Sequence, residues 1–204
     1  MITIVDYGLG NIRAFLNVYK RLNIAAAAAT TPEQLRGASR VILPGVGSFD
    51  HAMRRLAESG MRETLDDLAL HRRVPILGVC VGMQILGRES AEGTLAGLGW
   101  IEGRVRRLEP PADGTAFPVP HMGWNDVRPI APHRLFEGLD EGARFYFLHS
   151  YYFECDRDED TLAVSGYGRD FACAAGAGNI AGVQFHPEKS HHYGARLLRN
   201  FAEM

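Results

Sequence analysis

Cysteine is scarce in this chain of 204 residues: there are three, Cys80, Cys155 and Cys173, odd in number and far apart. That count excludes a disulfide framework as the source of stability and fits a reducing compartment, so a cytoplasmic location is expected. Charge of one sign is not in excess either, with a formal net charge of -2. Neither nucleic acid nor an anionic membrane is an expected partner. Long apolar runs are missing, and the opening MITIVDYG lacks the basic start and apolar stretch of an export signal. Metal ligands at a recognisable spacing are absent as well. His191 and His192 follow His186 with no carboxylate or cysteine at ligand spacing, so they read as a solvated helix start and no metal is expected. Gly8-Leu9-Gly10-Asn11 lacks the spacing of a dinucleotide fingerprint, and no cofactor is expected.

What is present is the material of one compact domain over residues 1–204, 46% hydrophobic and 23% charged. Residues 1–6 read as a strand, followed by a glycine turn and a helix through Leu22. Thr31-Pro32 predicts a helix start, and residues 40–43 a strand that ends in Pro44-Gly45-Val46-Gly47. Helices are predicted over 49–59 and 61–73, and an antiparallel strand with one wet face over 99–108. Residues 109–114 read as a proline- and glycine-rich loop. One aromatic strand over 144–153, a solvated charged loop over 154–160, short strands over 162–167, 171–175 and 180–185, and a final helix over 193–204 complete the pattern. Cys155 and Cys173 read as structural.

The chain's chemistry gathers at two stretches. In the first, an apolar strand from Val74 runs into Gly78-Val79-Cys80-Val81-Gly82 and then into residues able to open a helix. A lone cysteine is most often a small buried hydrophobe. A cysteine on a strand-to-helix bend between two glycines is different, because the bend thrusts its side chain out at the carboxyl edge of a sheet. A helix opening there also favours the thiolate. In the second stretch, Gly182 to Ser190, a strand delivers His186, Pro187 and Glu188 to the same edge. A thiol nucleophile needs a base, and the base needs a group to hold its tautomer; His186 and Glu188 are the candidates for those parts.

Together GVCVGMQ, QFHPEKS and Pro44-Gly45-Val46-Gly47 resemble the class I (triad) glutamine amidotransferases. Asp6-Tyr7-Gly8-Leu9-Gly10-Asn11, Pro120-His121-Met122-Gly123-Trp124-Asn125 and Tyr146 to Tyr151 are similar, more narrowly, to the glutaminase subunits that serve imidazole glycerol phosphate synthase. The resemblance covers nearly the whole chain. It implies an α/β, flavodoxin-like fold with a mixed, mostly parallel sheet flanked by helices, and a second strand over the alanine run 25–29, where composition argues for none. It implies a catalytic set of Cys80, His186 and Glu188, oxyanion donors at the Val46 and Val81 amides, and glutamine contacts from Gly47, Gln84, Glu92, Ser150 and Tyr151. It also implies a heterodimer with a (β/α)₈-barrel cyclase subunit that receives ammonia, touched by Asn11, His121, Met122, Tyr146 and Lys189. By its residues alone, His121 reads equally as an exposed loop histidine. A paralogous amidotransferase subunit feeding another synthase, a stand-alone cysteine hydrolase and a silent binding module remain as rivals.

Overall fold

In the computed structural model, which describes residues 1–111 and 117–204, five short parallel strands form the half of the sheet that carries the bend at Cys80. The chain opens with β1 (Ile2–Val5), α1 (Ile12–Arg21) and β2 (Ala26–Ala29). All four residues of β1 are buried, as a strand covered on both faces requires. The side chain of Asn11 accepts a hydrogen bond from the Ala14 N–H and so caps α1, a contribution of about 1 kcal/mol. β2 is four alanines in register with β1, so the pairing context overrides a poor intrinsic strand preference.

Next come α2 (Pro32–Leu35), β3 (Val41–Gly45), α3 (Phe49–Glu58), α4 (Arg62–Asp66), β4 (Ile76–Cys80) and α5 (Val81–Gln84). The single helix expected over 61–73 is corrected here. It changes after Asp66 into one turn of π-helix, Asp67–His71, which keeps Leu68 and Ala69 in the core while Leu70 is exposed. The helix that opens after Cys80 is a single turn.

The second half contains β5 (Gly103–Arg107), β6 (His121–Asp126), β7 (Arg128–Pro129), β8 (Arg144–His149), β9 (Tyr151–Cys155), β10 (Thr161–Tyr167), β11 (Arg169–Ala177), β12 (Ile180–Val183) and α6 (His191–Glu203). The large sheet runs β2-β1-β3-β4-β12-β11-β10-β7, with β9 joining β11 to β5 at its flank. The first five strands are parallel and the rest antiparallel. β6 and β8 form a separate two-stranded ribbon.

Three further expectations are corrected. The aromatic run 144–153 is two strands, broken at Ser150, with β8 on the ribbon and β9 on the large sheet. The break arises because burial changes phase: Phe145, Phe147 and His149 point inward in alternation, then Tyr152 and Phe153 are buried consecutively. In the charged stretch 154–160, Asp160 is buried and accepts two hydrogen bonds from the Arg157 guanidinium, at 2.9 and 2.8 Å. The segment in which His121 read as an exposed loop residue is strand β6 itself. The expected loop at 109–114 lies partly outside the described residues.

Candidate active site

Parallel pairing brings the bend together. Gly45, the last residue of β3, is the register partner of Cys80, the last of β4, and Val183 of β12 pairs with Val79. Loops leaving the carboxyl ends of adjacent parallel strands share one crevice, so residues 46, 80 and 186 emerge side by side. Cys80 has φ 57°, a left-handed conformation rare for a side chain of this kind. The turn holds because α5 lies directly on β3: a Cβ on Gly82 would collide with the Leu43 carbonyl oxygen. Only glycine permits that approach.

A cavity of about 310 Å³ opens over the bend, within the range of small-molecule sites. Its walls include Val46, Gly47, Cys80, Val81, Gln84, Glu92, Ser150, Tyr151, His186 and Lys189, with Pro120, Leu148 and His149 on the ribbon side. Glu188 stands behind His186, its Oε1 accepting from Nδ1 at 2.9 Å. Its Oε2 is buried with no hydrogen-bond partner among the described residues. Thus a sulfur, an imidazole and a carboxylate from two distant stretches meet at one cavity.

Burial pushes the His186 pKa down, but hydrogen bonds to Cys80 and Glu188 and the charges of both outweigh it and raise it to about 10. The two partners thus hold the ring toward its charged form beside the sulfur. A raised pKa contributes stability that is complete below the ordinary value of 6.5 and is lost as pH rises through about 10. The melting-temperature advantage of the wild type over Glu188→Gln is accordingly expected to shrink as pH climbs from about 6.5 to about 10. A gap that widens over this range, followed by thermal unfolding, would contradict the assignment.

Several partners of these groups carry no signal in the sequence. Gln184 is fully buried; its Nε2 donates to Cys80 Sγ over 3.8 Å and its Oε1 accepts from Gln84 Nε2 at 3.0 Å. Gln84 Nε2 also donates to the Tyr151 carbonyl at 3.1 Å. Both amide protons of Gln84 are thereby engaged, and what it has left to offer a ligand is an acceptor. Ser190 fixes the histidine's backbone, its Oγ donating to the His186 carbonyl at 2.6 Å and accepting from the Tyr146 N–H at 3.0 Å. Glu92 accepts from the Phe49 N–H at 2.8 Å, while Asp50 accepts from the Thr94 and Leu95 N–H groups at 3.1 Å. This reciprocal tie sets the Glu92 carboxylate on the cavity wall.

The positions expected at a partner surface divide. Met122 is 65% exposed, and Trp124 and Leu148 flank it on the outer face of the ribbon. Tyr146 is half-buried, with the Lys189 ammonium over its ring at 5.7 Å. Asn11 is exposed but occupied in capping α1. His121 is buried between the Phe147 and Tyr167 rings, so the exposed-loop expectation does not hold for it. An inward-facing β6 position explains this: its neighbours two residues away across the alternation point the same way. Among the described residues no cluster suited to a metal ion occurs, and no helix is long and apolar enough to cross a membrane.

The family model "Glutamine amidotransferase class-I" matches residues 4–204. Among curated proteins, the imidazole glycerol phosphate synthase subunit HisH of Bdellovibrio bacteriovorus is 57% identical, with 100% of both chains covered. The subunit of the same name from Leptospira interrogans is 50% identical, again over 100% of each. Among solved structures, PurLQS from Thermotoga maritima superimposes with a TM-score of 0.73 over 99% of this chain and 97% of that one, at 18% identity. At that identity the likeness speaks for the fold alone.

Proposed function

This chain belongs to the class-I glutamine amidotransferase family, and from that premise we propose that it is the glutamine-hydrolysing subunit of an imidazole glycerol phosphate synthase. The observation that carries the reading is the cavity in which Cys80 and His186 meet Gln84 and Glu92, with Glu188 behind the imidazole. In this reading the Cys80 thiolate attacks the side-chain amide carbon of glutamine, and the amides of Val46 and Val81 hold the developing oxyanion. His186 gives its proton to the departing nitrogen, which leaves as ammonia, and a glutamyl thioester remains. Water, deprotonated by the same ring, then releases glutamate and restores the thiol. Glu188 keeps the imidazole turned toward the sulfur throughout. The Glu92 carboxylate and the Gln84 carbonyl oxygen are acceptors suited to the α-ammonium group of glutamine.

Ammonia that escaped to water at neutral pH would protonate and lose its nucleophilicity, which favours direct delivery to an acceptor enzyme. We assign that role to a (β/α)₈-barrel cyclase subunit in a heterodimer, which would form imidazole glycerol phosphate and aminoimidazole carboxamide ribotide in histidine biosynthesis. The exposed apolar outer face of the ribbon supports a protein partner, and Pro120, Leu148 and Lys189 set the cavity mouth beside it. Three free cysteines support a cytoplasmic setting.

The deciding experiment is a glutaminase assay of the purified chain alone, with the cyclase subunit, and with the cyclase plus its nucleotide ligand. Turnover that rises on adding the cyclase is expected; equal turnover without it would favour a stand-alone hydrolase. Lys189→Glu is expected to weaken assembly with the cyclase by about tenfold in a titration while leaving the melting temperature near that of the wild type. Unchanged affinity would remove Lys189 from the interface.

A further inference from the structure

The proposed reaction leaves one set of buried polar side chains without a task. His121 and His149 face each other across the ribbon, 4% and 6% exposed, with His121 Nδ1 2.9 Å from His149 Nε2. Their remaining nitrogens are engaged too. His149 Nδ1 lies 2.8 Å from the Tyr151 carbonyl oxygen, and His121 Nε2 lies 3.2 Å from Asn125 Nδ2.

The direction of these bonds follows from the ends of the row. A backbone carbonyl only accepts, so His149 carries a proton on Nδ1. Burial lowers the His149 pKa, against the Tyr151 hydrogen bond and with the help of the His121 and His186 charges, to about 3; burial lowers that of His121 to about 4. A neutral ring has one N–H, so His149 Nε2 accepts and His121 donates from Nδ1. His121 Nε2 then has to accept from the Asn125 amide. The orientation of that amide is fixed independently, because its Nδ2 donates to the Gly166 carbonyl at 2.8 Å and its Oδ1 accepts from the Asp126 N–H at 2.9 Å. Both ends give the same answer, and every bond in the row points one way.

Beyond Tyr151 the row meets the glutamine pair, since the same carbonyl accepts from Gln84 Nε2. Gln84 leads to Gln184, and Gln184 to the Cys80 sulfur. We propose that His121 and His149 are positioning residues for the substrate: the row from Asn125 fixes the Tyr151 carbonyl, that carbonyl fixes Gln84, and the seating of β6 thereby sets the shape of the pocket. The outer face of β6 carries Met122 and Trp124, so a partner resting there bears on the strand whose inner face begins the row. Packing alone does not require imidazoles. The other inward positions of β8 are Phe145 and Phe147, and a phenylalanine could fill the same space. The inference rests on the reading that this cavity binds glutamine.

Nitrogen NMR on the chain labelled at histidine tests the row directly. Both rings are expected in the Nδ1–H form from about pH 6 to 8, the tautomer that free histidine disfavours. A doubly protonated or Nε2–H ring at either position would overturn the proposal. In the complex with the cyclase, His149→Phe is expected to raise KM for glutamine about tenfold, with kcat changed less than about threefold. His149→Asn places an amide nitrogen where Nδ1 stood and should recover most of that rise. Wild-type KM in the Phe variant, or an equal loss in both variants, counts against the row. Should His149→Phe fail to fold, the wild-type spectrum still decides. A wild type inactive on glutamine marks the failure of the amidotransferase reading, whereas an active wild type with an unaltered variant marks the failure of this proposal alone.

Discussion

Replacing Cys80 by alanine is expected to abolish glutamine-dependent synthesis in the reconstituted complex, by about 10³-fold or more, and to leave synthesis from ammonium salts largely intact. The asymmetry follows from where the sulfur stands. Cys80 lines the cavity with His186 beside it, and in the proposed reaction losing the sulfur would remove the thioester route entirely. The cyclase chemistry would need only ammonia, which a salt supplies from solution. The exchange of a thiol for a methyl group on a turn whose backbone is held by its glycine neighbours should cost little stability. Parallel assays with glutamine and with ammonium chloride check both halves. Loss of both activities would show that the cysteine holds the fold and does no chemistry.

Gly82→Ala is expected to have a large structural effect for a single methyl group. A Cβ there meets the Leu43 carbonyl oxygen, with the Pro44 carbon close behind, and both are backbone atoms that cannot swing aside. α5 would have to lift off β3 next to the point where Gly45 and Cys80 are register partners. Overpacking of this kind costs about 3 kcal/mol, or roughly 6–12 °C in melting temperature for a chain of this size. Gly37→Ala is the control, because nothing lies within 4 Å of the Cβ it would add. Thermal unfolding of the two variants should differ by nearly the whole shift. A Gly82→Ala protein that melts with the wild type would mean that α5 does not sit on β3 as described.

Much of this arrangement was legible in the residues themselves. The glycines around Cys80 and the proline between His186 and Glu188 report local backbone demands, and local demands are what a sequence displays. The parallel strands were readable for the same reason, since a strand buried on both faces is an unbroken apolar run. The alanine run at β2 shows the limit of such reasoning: composition argues against a strand there, the family resemblance argues for one, and the pairing with β1 decides. The break at Ser150 was hidden because burial changes phase inside an unbroken aromatic run, and only the choice of partner strand reveals it. Gln184, Ser190 and Asp50 were likewise invisible as contributors. Each works by a contact far along the chain or by a backbone group, and neither leaves a spacing to read. His121 was misplaced because a two-stranded ribbon gives an inward position no flanking apolar pattern.

The Tyr7 hydroxyl, itself buried, donates to the Pro44 carbonyl at 2.7 Å. Next to it, Gly45 is pressed so tightly against the Val81 and Gly82 backbone that no side chain would fit. These two contacts clamp the upstream end of the loop that carries Val46 to the cavity. Any swing of the Val46 amide is therefore a crankshaft motion confined to the two or three peptides beyond Pro44, with β3 as its fixed bearing. Gly47, at φ 87° and with only the His51 ring near the place a Cβ would take, is the free end of that crank.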